Sequence, residues 1–223
     1  MVTVPEILEL VRPGETVVVE HETSYAPEFA LKLLADYTRE RNVPLIIDDN
    51  FDSLYTLLIH CKMLGLDVDL SHATVIKIGG RREVGGRVKK VEFHPDPRVL
   101  LNNYEAALAD AGGTPEKPAI NLTLGIENIL YFVRDVRDFY RFLLGLQRYV
   151  GNRRRKAFYL VHTDLVKSLP PYVHSELRRI ATGVWIFNSY PTGVRARVLR
   201  SPNVELIGRE FTIDVGGVVR GRG

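Results

Sequence analysis

The chain has 223 residues, enough for one large α/β core, with 45% apolar and 26% charged residues and no low-complexity linker to divide it. A net charge of +3 and a pI of about 9.0 are too mild to demand nucleic acid, and the lone Cys61 excludes an internal disulfide. No apolar run is long enough to span a bilayer and nothing at the start has signal-peptide order, so the expectation is a cytoplasmic protein with no membrane partner.

Along the chain, short apolar runs alternate with helical periodicity. A buried strand is expected over 16–20, then a helix that opens at Pro27 and carries Ala30, Leu33, Leu34 and Tyr37 on one stripe. A second strand over 44–47 runs into Asp48 and Asp49. Asp52 or Ser53 caps the next helix, whose stripe of Leu54, Leu57, Leu58, Cys61 and Leu64 stops at Gly65. Strand 74–78 follows, then glycine pairs that bracket a basic segment, and 88–94 as a strand or hairpin arm. Further helices are expected over 99–111, 131–150 and 172–180, and strands over 119–124, 156–161, 183–188, 195–200 and 210–215. The 131–150 segment has the strongest helical pattern, with Phe132, Val136, Phe139, Leu143, Leu146 and Val150 in four-three steps. This order predicts a single-domain three-layer α/β fold: a mostly parallel sheet, helices on both faces, and antiparallel strands at the C-terminal edge.

The first strand, turn and helix stand where a nucleotide-binding protein places its phosphate loop, but the loop chemistry is missing. A GxxxxGK[ST] loop needs glycines to close backbone N–H groups on phosphate, a Lys for the β/γ-phosphates and a hydroxyl for Mg²⁺. No Gly occurs between Glu15 and Leu64, and Glu20, Glu22 and Glu28 repel a polyphosphate instead.

With those substitutions, the sequence resembles the RecA-like domain of the KaiC/RadA branch of the P-loop ATPases over most of its length. In that correspondence His21 stands at the first loop glycine, Pro27 near the Lys and Glu28 near the Mg²⁺-binding hydroxyl. Asp48-Asp49 resembles the paired acids that end the family's second strand, whereas the strand over 119–124 reaches Leu124-Gly125 without the acid that would bind Mg²⁺. The chain is also similar to archaeal RecA-like proteins with degenerate phosphate loops. The resemblance implies a binding or scaffolding protein that has lost ATP binding and hydrolysis, with no cofactor, and a monomer or small homo-oligomer, because the family's rings close on ATP sites between subunits. Its partner is then a protein or peptide.

The candidate cleft is the former nucleotide edge, with Glu22, Thr23, Ser24, Tyr25, Asp48 and Asp49, since ligands of open α/β sheets bind at the carboxyl ends of the strands. A metal there lacks support, because His21-Glu22 is not followed by the second His of a zinc motif. No GxSxG elbow marks a hydrolase, so no catalytic residue is assigned. Two alternatives stand beside the binding reading: a small-ligand enzyme that uses Asp48 or Asp49 as base, and a nucleic-acid protein that uses Arg153, Arg154, Arg155 and Lys156 as an exposed basic loop. Cations at a helix C-terminus are also explained by the dipole alone. The glycine- and arginine-rich tail 216–223 is expected to be mobile unless a partner orders it.

Overall fold

The computed structural model describes residues 4–22, 24–190 and 193–214; Thr23 and the tail 216–223 of the expectations above lie outside them. Helix α1 (Val4–Leu10) precedes β1 (Thr16–His21), α2 (Ala26–Glu40), β2 (Leu45–Asn50), α3 (Ser53–Met63), β3 (Ala73–Ile78) and β4 (Arg87–Val91). Next come α4 (Pro97–Leu108), β5 (Ala119–Leu124), α5 (Ile126–Leu130), α6 (Val136–Gln147), β6 (Arg155–His162), α7 (Thr163–Lys167) and α8 (Pro171–Ile180). Strands β7 (Gly183–Tyr190), β8 (Gly193–Arg200) and β9 (Glu210–Asp214) close the described chain.

All the described strands join one sheet in the order β4-β3-β2-β5-β6-β1-β7-β8-β9. Pairing is parallel from β4 to β7, and only β7–β8 and β8–β9 are antiparallel. The alternation of strand side chains sorts the core into two layers. Val17, Val19, Leu45 and Ile47 face α1, α2 and α3, while Val18, Ile46, Ile76 and Tyr159 face α4 to α8. The predicted three-layer, mostly parallel fold with an antiparallel C-terminal edge is what forms. No helix among the described residues is long and apolar enough to cross a membrane.

Two local expectations are corrected. The helix expected over 131–150 is shorter at both ends: α5 has already stopped at Leu130, residues 131–135 are not helical, and α6 runs from Val136 to Gln147, beginning where the Asp135 carboxylate accepts hydrogen bonds from the N–H groups of Arg137 (2.8 Å) and Asp138 (2.9 Å). The buried stripe is accordingly Phe139, Phe142, Leu143 and Leu146, while Phe132 and Val136 are half exposed. The segment after β3 is no hairpin arm either, since β4 pairs with β3 in parallel. Residues 79–86 make the return without a helix, although parallel neighbours usually need about a dozen residues or more. Close packing permits the short path: at Gly86 a Cβ would stand 2.4 Å from the Ser71 carbonyl oxygen.

Candidate functional site

At the carboxyl edge of the sheet, between the ends of β1, β2 and β6, lies a cleft of about 590 Å³. Its near wall is the β1–α2 connection, with His21, Glu22, Ser24 and Tyr25. That connection has lost the features of an anion cradle. Pro27 occupies the first turn of α2 and brings no N–H, the Ser24 hydroxyl oxygen accepts from Ala26 N (3.4 Å), and Phe29 N donates to the Tyr25 carbonyl (3.2 Å). Glu28 sits in the same turn with its side chain only 4% exposed, one carboxylate oxygen 2.8 Å from His60 Nδ1.

The far wall is α3 and the turn before it. Ser53, Thr56, Leu57 and His60 recur at helical spacing and all line the cleft. The turn places Phe51 (φ 54°) and Asp52 (φ 65°) in the left-handed region, conformations that a bulky side chain adopts rarely. It is pinned by Phe51 N on the Ile78 carbonyl (3.0 Å) and by the Ser53 hydroxyl on the Asn50 carbonyl (2.6 Å).

Asn128 and His162 complete the lining from α5 and β6. The floor is unusual in its imidazoles: the rings of His21 and His162 meet edge to face at 5.1 Å. Burial pushes His21 down to about 4, so it is neutral near pH 7. Beneath, a Glu127 oxygen accepts from His162 N (2.8 Å), and burial raises that carboxyl. The lining thus carries two carboxylates, Glu22 and Glu28, and among the described residues no Lys or Arg. No described group of three His, Cys, Asp or Glu side chains is placed to hold a metal ion.

Of the residues expected here, Glu22, Ser24 and Tyr25 line the cleft; Asp48 and Asp49 do not. As strand neighbours they point to opposite faces and are absorbed by internal networks. Asp48 accepts from the Tyr104 hydroxyl (3.1 Å), Asn121 Nδ2 (2.9 Å) and the Thr123 hydroxyl (2.8 Å), and burial raises its carboxyl. Asp49, fully buried, pairs with Lys77 Nζ (2.8 Å) and accepts from Leu54 N (2.9 Å). Glu20 likewise turns into the fold, where Arg178 and His174 of α8 bond its carboxylate.

The basic loop is also smaller than expected. Arg155 opens β6, is buried, donates to Asn121 Oδ1 (2.7 Å) and lies over the Tyr149 ring (4.7 Å). Lys156 donates to the Leu8 carbonyl (3.0 Å) and Arg154 Nε to the Gly113 carbonyl (2.8 Å). Arg153 and Arg154 alone of the four remain exposed. Sequence reading missed the α3 wall with His60, and Asn128 and His162, as cleft residues; the helical spacing of residues 53, 56, 57 and 60 was the available signal for the first.

Fold and site together define a three-layer α/β protein with an anionic, imidazole-floored cleft at its carboxyl edge. The chain belongs to the family described as Pyrococcus protein of unknown function, DUF257, which it matches over residues 6–212. A solved structure from Pyrococcus horikoshii OT3, described as a structural study of a project protein, is similar in fold: TM-score 0.78 at 22% identity, with 93% of this chain and 96% of that one covered. No curated protein matches the chain.

Proposed function

We propose that the protein is a RecA-like binding protein that neither binds Mg·ATP nor hydrolyses it, and that its ligand occupies the carboxyl-edge cleft. The RecA-like reading draws support from the placement of β1 inside the sheet, between β6 and β7, with its loop opening on that cleft. The observation that carries the loss of nucleotide is the β1–α2 connection. It offers carboxylates in place of an anion cradle, and in the first turn of α2 Pro27 brings no N–H, that of Ala26 goes to Ser24 and that of Phe29 to Tyr25.

The alternatives draw less support. A base at Asp48 or Asp49 would have to leave buried hydrogen-bond networks, and a nucleic-acid loop is reduced to Arg153 and Arg154. Melting with and without nucleotide tests the proposal. A ligand at a thousandfold excess over its Kd adds about 4 kcal/mol of stability, so millimolar Mg·ATP is expected to leave the transition where Mg²⁺ alone leaves it. A clear rise specific to Mg·ATP overturns the reading.

A further inference from the structure

We infer that the cleft takes an organic cation, a ligand with a protonated amine or guanidinium group, and that the Glu28 carboxylate is its seat. The inference rests on the cleft being the ligand site. Glu28 lines it with a side chain 4% exposed, and the two carboxylate oxygens are unequal. One meets His60 Nδ1 at 2.8 Å; the other is sealed from solvent and has no hydrogen-bond partner. A buried carboxylate oxygen left without a donor is costly, and a ligand N–H of positive charge is the donor that relieves it best. His60, which covers the carboxylate from the α3 wall of the cleft, is itself 45% exposed, so its ring can swing aside and admit a cation to Glu28 without disturbing the core.

The surroundings select charge and shape. Glu22 adds a second carboxylate, no described Lys or Arg opposes it, and burial keeps His21 from charging near neutral pH. The rings of Tyr25 and Phe51 stand in the same lining, and an alkylammonium or guanidinium group gains from an aromatic face. A bare metal ion is served poorly, since no three described ligating side chains converge, whereas an organic cation needs one carboxylate, ring faces and a few hydroxyls. Ser53 and Asn128 supply polar atoms for the rest of such a molecule.

The test is thermal melting at pH 7 and constant ionic strength with putrescine, agmatine, butanediol, succinate and CaCl₂, for the wild type, Glu28→Gln, Glu22→Gln and Thr56→Trp. Thr56 is exposed on the α3 wall, so a tryptophan there fills the cleft from outside the core. The expected result is a saturable rise with putrescine or agmatine and none with butanediol, succinate or Ca²⁺. Glu28→Gln should weaken binding at least tenfold, Glu22→Gln severalfold, and Thr56→Trp should abolish it. If Glu28→Gln fails to fold, Glu22→Gln still decides: no loss of amine affinity overturns the cation inference. Absence of any shift with either amine overturns it too. Stabilisation by succinate or butanediol that Thr56→Trp removes leaves the cleft as a binding site and overturns only the charge of its ligand. An amine shift that all three variants leave unchanged places binding elsewhere and overturns both readings.

Discussion

His21 is the residue at which the cleft and the stability of the fold meet. It closes β1, its Nδ1 stands 3.0 Å from the Glu22 carbonyl oxygen, and burial lowers it from 6.5 to about 4. The unfolded chain therefore takes up this proton between pH 6.5 and 4 while the folded chain does not, so stability falls as pH is lowered through that window. A shift of this size corresponds to about 3 kcal/mol. Urea unfolding at the two ends of the window is expected to cost the wild type up to that much more than His21→Gln, which has no imidazole to charge; equal losses in the two proteins would remove His21 as the cause. At this scale the sequence was only half legible. The missing glycines and the acids of the β1–α2 turn gave Glu22, Ser24 and Tyr25. Asp48 and Asp49 looked catalytic because paired acids end a strand, and their partners Lys77, Asn121 and Thr123 come from neighbouring strands whose register no local pattern reveals.

Among the elements, buried strands announced themselves by their apolar runs, and α2 and α3 by their stripes and stops. The reading failed where one short polar contact outweighed periodicity, as at Asp135, and where a connection took an uncommon path, as between β3 and β4. That path depends on Asp52. Its carboxylate accepts from the backbone N–H groups of Arg81 (2.9 and 3.0 Å) and Arg82 (2.8 Å) and pairs with Lys77 Nζ (2.6 Å), so a side chain of the β2–α3 turn ties down the 79–86 return. Arg81 and Arg82 are exposed, which makes trypsin a direct probe. Asp52→Ala is expected to speed cleavage at Arg81 or Arg82 by about tenfold, the effect of roughly 1.4 kcal/mol of lost local stability. An unchanged cleavage pattern would mean that glycine packing alone holds the return. Because the same turn carries Phe51 in its left-handed conformation, loosening it also disturbs the aromatic wall of the cleft.

For the molecule as a whole, what matters is that β1 is bordered by β6 on one side and β7 on the other, so the antiparallel strands β8 and β9 hang from a sheet whose middle holds the cleft. The chain has one tryptophan, and Trp185 lies in β7 with its ring centroid 5.8 Å from those of Phe158 and of Phe211 in β9. It therefore reports on the seam between the parallel body and the C-terminal edge. Parting that seam would expose both helical layers, because Trp185 and Phe187 belong to the α1–α3 core and Val184 to the α4–α8 core. Losing apolar burial on two faces at once favours loss of the whole sheet over local opening. Thermal unfolding followed by Trp185 fluorescence and by far-ultraviolet circular dichroism is accordingly expected to give midpoints within about 2 °C of each other, the coincidence that a two-state transition requires. A fluorescence transition that precedes the loss of backbone signal would assign β7–β9 to a separate cooperative unit, and the wall of the cleft that β1 provides would then survive without its C-terminal neighbour.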